Sequence, residues 1–113
     1  MASFERYYST GITELTAGAT TVHTSDASDA AQADIIIGLT ISNTGTSTAT
    51  ASAFISGAGS TDIYLGKDMN IPQSGAVEVI QGKIVLDNTD IVKVKVSSGQ
   101  VDVWLSVLDN ASA

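Results

Sequence analysis

The sequence predicts an all-β fold, a single antiparallel β-sandwich or jelly-roll-like domain of about eight to nine short strands, and three observations carry the prediction. Segments with apolar and polar residues in alternation recur between clusters of Gly, Asn, Asp and Ser, the spacing of turns in a sandwich. Charged residues are only 15% of the chain, below the roughly 25% of ordinary soluble domains, and Ser, Thr and Ala take their place. Hydroxyl and β-branched side chains disfavour helix and pack well on a pleated sheet. A closed barrel is the alternative architecture. At 113 residues the chain suits one domain with one core: an N-terminal arm over residues 1–10, the sandwich over 11–109 and a short tail over 110–113.

Taken in order, GITELT (11–16) and ATTVHT (19–24) are short alternating runs separated by Ala17-Gly18. The segment ADIIIGLTIS (33–42) places Ile35, Ile37, Leu39 and Ile41 on one face, with Ile36 apolar on the other, which suits a central strand. TATASAFIS (48–56) turns Ala49, Ala51, Ala53 and Ile55 inward and Phe54 outward. TDIYLG (61–66), AVEVI (76–80) and KIVL (83–86) follow, divided by turns at Pro72-Gln73-Ser74-Gly75 and Gln81-Gly82. The stretch DIVKVKVSSGQVDVWLSVLD (90–109) reads as an antiparallel hairpin around Ser-Ser-Gly-Gln. Val92, Val94 and Val96 form the core face of its first arm, and Val101, Val103, Leu105 and Val107 that of its second. Residues 26–33, small and preceded by a Ser25 or Asp26 cap, are the one stretch with a helical pattern.

Several functions are disfavoured by composition. A formal charge of −7, from 12 acidic and 5 basic residues, argues against a nucleic-acid partner, which needs clustered Lys and Arg. No apolar run approaches the roughly 20 residues of a membrane span, and MASFERYYSTG lacks a signal-peptide pattern, so a soluble protein without membrane contact is expected. Cysteine is absent, which leaves neither disulfide nor thiolate metal site. His23 is the single histidine; a metal set around it needs two carboxylates placed by the fold, and the simpler expectation is an outward-facing strand residue. Asp87-Asn88-Thr89-Asp90 lacks the distal Glu of an EF-hand loop and reads as a turn. No G-x-S-x-G elbow occurs, and Gly57-Ala58-Gly59 precedes a strand instead of a helix, so neither a hydrolase nor a dinucleotide site is expected. Asn110-Ala111-Ser112 matches a glycosylation sequon but lacks a secretion signal beside it. The expectation is a non-enzyme with no catalytic, cofactor or metal residues.

Apolar residues on nominally wet faces are the functional signal. Trp104 and Leu108 lie opposite the core face of their strand, as do Phe54 and Ile36 in theirs, and Phe4, Tyr7 and Tyr8 crowd into the arm. Two readings are open: a second small cluster buried within the chain, or a subunit interface, which the low charge and the enrichment of aromatics at binding hot spots favour.

The C-terminal third adds a family resemblance. Ile71-Pro72 with Gly75, Gly82-Lys83 through Leu86, Asp90 through Val96, and Val101 through Ser106 resemble the turn and strand motifs of small β-sandwich virion proteins of tailed bacteriophages. The resemblance implies a structural building block used in many copies: a capsid decoration (cement) protein, or a neck, tail or fibre component, assembled in the bacterial cytoplasm and located in the virion. The outer-face apolar residues and sparse charge point to a homo-oligomer, with a trimer favoured, and the resemblance implies the major capsid protein or other virion proteins as partners. A carbohydrate-binding sandwich of the receptor-binding type is the competing class, with Trp104, Tyr64, Tyr7 and Tyr8 as its aromatic platforms.

Overall fold

A computed structural model describes residues 3–13, 19–25, 32–56, 62–80, 82–87 and 90–112. Alternating apolar residues build nine strands among them: β1 (Ser3–Thr13), β2 (Thr20–Thr24), β3 (Gln32–Asn43), β4 (Ala49–Ser56), β5 (Asp62–Ile71), β6 (Ala76–Glu78), β7 (Ile84–Leu86), β8 (Ile91–Ser98) and β9 (Gln100–Ser112). All pairings are antiparallel: β1 with β9, β2 with β8, β3 with β6, β7 and β9, and β4 with β5 and β8. The result is two sheets, one ordered β1-β9-β3-β6 with β7 beside β6 on the same edge of β3, the other ordered β2-β8-β4-β5. This is the expected sandwich, with jelly-roll strand order.

The inner faces meet in one apolar layer. Val92, Val94 and Val96 of β8 and Ala49, Ala51 and Ala53 of β4 face Leu39 and Ile41 of β3 and Val101, Val103, Leu105 and Val107 of β9, all buried. The row of alanines on β4 is shallow, which lets the sheets approach closely. At one edge of this layer the buried Asn43 side chain donates to the carbonyls of Ser47 (2.8 Å) and Ile71 (2.9 Å) and accepts from the Gly45 amide (2.9 Å), so a buried amide has its partners. The Ile71-Pro72 turn closes through a bond from the Gly75 amide to the Pro72 carbonyl, and the Gly75 carbonyl accepts from the Asn43 amide. The Asp87 amide donates to Asp90 Oδ2 (2.9 Å) and the Asp90 amide to the Asp87 carbonyl (3.1 Å), while Asn88 and Thr89 lie outside the described residues.

Four expectations change. First, the two valine arms of residues 90–109 do not pair with each other. β8 bonds to β2 and β4, β9 to β1 and β3, and the chain crosses between sheets at Gly99. Gly99 has φ +84°, and a Cβ there would meet Ala49 at 2.8 Å. The crossing sets the two valine faces against each other through the core, where a flat hairpin would put them side by side on one sheet. Second, the arm of residues 1–10 is not ahead of the sandwich: residues 3–10 belong to β1, in register with β9 from Ser3↔Asp109 to Ser9↔Val103. Third, β3 changes face partway. A bulge between Ile36 and Gly38 puts Ile36 in the core and leaves Ile37 exposed, because an extra residue inverts the alternation on one side of it. Fourth, of the helical pattern at 26–33, residues 26–31 lie outside the described residues, and Gln32 and Ala33 begin β3.

Candidate functional site

The outer face of the five-stranded sheet is apolar across its width. Val85, Ile35, Leu108 and Phe4 stand in register as direct neighbours on β7, β3, β9 and β1. Alternation explains the direction of the central ones: the buried Asp34 and Ile36 flank Ile35, Leu86 follows Val85 and Val107 precedes Leu108. Phe4 is 76% exposed, Val85 66%, and Ile35 and Leu108 are half-buried between them.

A second cluster lies further along the same face. Tyr8 of β1 is opposite Trp104 of β9, with ring centroids 5.9 Å apart and planes inclined by 17°. The Arg6 guanidinium carbon lies 5.3 Å from the Trp104 ring and 5.6 Å from the Tyr8 ring, close enough for cation–π attraction to both. Phe4, Arg6, Ile37 and Trp104 border an open groove. Tyr8 and Trp104 are 58% and 47% exposed. This face therefore carries two apolar patches, with Arg6 and Ser106 on the rung between them and the Thr40 and Glu78 pair beside Trp104, a mix of exposed apolar and polar groups of the kind that marks protein interfaces.

The residues singled out from sequence thus fall into three groups. Trp104, Phe4, Tyr8 and Leu108 share this outer face. Ile36 and Phe54 do not lie on an open surface: Ile36 joins the core through the bulge, and Phe54, on the outer face of the other sheet, is only 5% exposed. Tyr64 covers Phe54 from β5, centroids 5.2 Å apart, and the Lys67 ammonium lies 5.2 Å from the Tyr64 ring. Phe54 is thus the core of a small second cluster within the chain.

Tyr7 points the other way, into the sandwich. Its ring stacks on His23 at 4.0 Å, and its hydroxyl lies 3.5 Å from Asp109 Oδ2. His23 is not outward-facing as expected; it is buried, and its Nε2 is 2.9 Å from Asp34 Oδ2. A register shift between Thr21 and His23 on β2 turns the ring toward the core. Asp34 is fully buried, and Asp109 is half-buried as a residue with Oδ1 out of solvent. Four strands from both sheets thus place an imidazole, two carboxylates and a phenol in one polar end of an otherwise apolar interior. The available signal for Asp109 was the row Val101, Val103, Leu105, Val107, which continues to it at the same spacing.

No protein-family model matches the sequence, and no curated protein matches it. Among solved structures the chain is similar to the Drosophila NLP-core, with a TM-score of 0.56 and 13% identity over 100% of both chains; that protein's structure is described as giving insight into pentamer formation and histone binding. At this identity the likeness is one of fold.

Proposed function

We propose that the protein is a non-enzymatic structural subunit that works in many copies, a capsid decoration (cement) protein of a tailed-phage virion that docks through the outer face of its five-stranded sheet. The observation that carries the reading is the apolar row Val85, Ile35, Leu108 and Phe4 with the Trp104 and Tyr8 pair beside it. Leaving such a surface in water costs on the order of 25 cal/mol for every Å² that a partner could cover. The phage setting comes from the resemblance of residues 71–106, which form the β5–β6 turn, β7, β8 and most of β9. Self-association fits the same face. The structural neighbour, described as forming a pentamer, is a similarly folded sandwich that assembles, while a trimer is the form expected from the outer-face apolar residues and sparse charge; neck, tail or fibre placement is the variant of the same role.

A sugar-binding role has less support. Glycan platforms need open ring faces, and Arg6 lies over both Tyr8 and Trp104. The histone binding named for the neighbour has a counterpart only in net charge, since the acidic side chains here are spread over several strands.

The test uses substitution. Removing residues 1–10 would delete most of an edge strand that carries Tyr7, so it cannot separate docking from folding. The 113-residue chain should co-sediment with shells assembled from a tailed-phage major capsid protein, saturably and with a stoichiometry set by the shell's symmetry. Trp104→Ala should weaken that binding by about 30-fold or more, equivalent to roughly 2 kcal/mol for a hot-spot aromatic, with an unchanged circular dichroism spectrum. Light scattering at micromolar concentration separates monomer, trimer and pentamer. Saturable glycan binding lost in Trp104→Ala, with no affinity for any virion protein, would make the receptor-binding reading correct; salt-sensitive binding confined to basic proteins would instead favour an acidic-chaperone role.

A further inference from the structure

We infer that His23, Asp34 and Asp109 form a binding site for a first-row divalent cation of the Zn²⁺ type, which ties the two sheets together from inside the sandwich. Their donor atoms, one from each residue, all lie within 4.8 Å of one another. Ligands held 2.0–2.2 Å from a tetrahedral ion are roughly 3.4 Å apart, so closing the set around an ion takes side-chain movements well under the length of one bond. His23 Nε2 and Asp34 Oδ2, at 2.9 Å, need only part slightly.

The donors come from distant points of the chain and both layers: His23 from β2 of the four-stranded sheet, Asp34 and Asp109 from β3 and β9 of the other. Two local irregularities aim them. Between Ala33↔Ala111 and Ile35↔Leu108 the register shifts, so Asp34 alone on β3 faces both Asp109 and Asn110 on β9. The shift between Thr21↔Lys93 and His23↔Val92 does the same for the imidazole. Bulges that re-aim side chains cluster at functional sites.

Charge and chemistry agree with a cation. Two carboxyl groups and an imidazole gathered within 4.8 Å in the interior are donors that a divalent ion can take together, its charge offsetting that of carboxylates held out of water. Imidazole nitrogen and carboxylate oxygen are both ligands that zinc takes, and three protein donors leave a fourth position for water. Tyr7 supplies the outer layer, its ring against His23 and its hydroxyl beside Asp109, the kind of contact that orients metal ligands.

The measurement is a titration of the full-length chain with Zn²⁺ after dialysis against chelator, with Mg²⁺ and Ca²⁺ as parallel arms. A single saturable Zn²⁺ site and a rise in melting temperature of roughly 5 °C or more are expected. Asp109→Asn, nearly unchanged in volume, should weaken Zn²⁺ binding by more than about tenfold, a loss that outer partners alone can cause. Because His23 is the single histidine, its ring nitrogens can be followed by NMR in the unaltered protein, and Nε2 should shift on Zn²⁺ addition. That readout stands even if a substituted chain fails to fold. Imidazole signals unmoved at saturating Zn²⁺, or Asp109→Asn binding as tightly as the natural chain, would overturn the inference and leave the cluster a buried hydrogen-bond network.

Discussion

The two sheets treat their outer apolar residues in opposite ways. On the four-stranded sheet Phe54 faces out of the core, yet Tyr64 from the neighbouring strand lies across it, Lys93 is its partner on β8, and it ends 5% exposed. On the five-stranded sheet Trp104 and Phe4 also face out of the core and stay 47% and 76% exposed, with Arg6 and Tyr8 beside the Trp104 ring. The difference is one of neighbours. β5 brings a large aromatic next to Phe54, whereas β1 brings Phe4 and Tyr8, which add to the apolar surface. The four-stranded sheet buries its outward Phe54 but leaves Ile63 and Tyr64 exposed on its edge strand β5, whereas the five-stranded sheet lines up Val85, Ile35, Leu108 and Phe4 across four strands, an arrangement shaped for a partner.

The comparison can be broken by truncating residues on each side of it. The largest effect should come from the shared interior: Leu105→Ala, at a fully buried position between the sheets, should cost about 3 kcal/mol through lost burial and the cavity left behind, read from the urea midpoint at constant slope. Phe54→Ala should come next. It removes a buried aromatic, but one whose outer side is covered by Tyr64 alone, so neighbours can settle into the gap and the loss should be about 2 kcal/mol. If Phe54→Ala proved neutral in stability while impairing assembly, the four-stranded sheet would be the docking face and the contrast would invert.

How much of this could be read in advance depended on how local the determining contacts were. The alternation of Val92, Val94 and Val96 and of Val101 through Val107 fixes which side of each strand is buried without knowledge of partners, and the structure agrees at every one of these positions. Which strands pair is a separate question, decided by contacts far apart in sequence. The two arms beside Gly99 therefore looked like a hairpin when they are a crossing between sheets. One extra residue in β3 was enough to exchange the roles of Ile36 and Ile37, and nothing in an unbroken apolar run marks where a bulge will fall. Only the end of β1, from Gly11 to Thr13, lies in a run with legible alternation, because the outer positions before it, Phe4, Arg6 and Tyr8, do not look like a wet face. The polar cluster was the least legible part: Asp34 lies 11 residues beyond His23 and Asp109 far beyond both, and only the pairing of β3 with β9 brings the two carboxylates together. Even so, Asp109 stands in the inward row of β9, and a charged residue at the end of a core-facing alternation is a signal that sequence does contain.

The smallest effect on stability should come from the residue most characteristic of the open face. Phe4 is 76% exposed, lies on an edge strand and touches the rest of the row only through Leu108 beside it in the sheet. Phe4→Ser removes little buried area, and a surface change of this kind stays within about 0.5 kcal/mol. Its backbone bonds to β9 do not depend on the side chain, so β1 should remain in place and the melting temperature should move by no more than a few degrees. Self-association is where the substitution should act, because it takes the largest exposed apolar group out of the row Val85, Ile35, Leu108 and Phe4. In sedimentation velocity across a concentration series, Phe4→Ser should shift the population toward monomer relative to the natural chain, whereas a serine at the comparably exposed Ile63 of the other sheet should not. Equal shifts from both would mean that exposed apolar area alone governs association, and that the row on the five-stranded sheet is not a specific docking face.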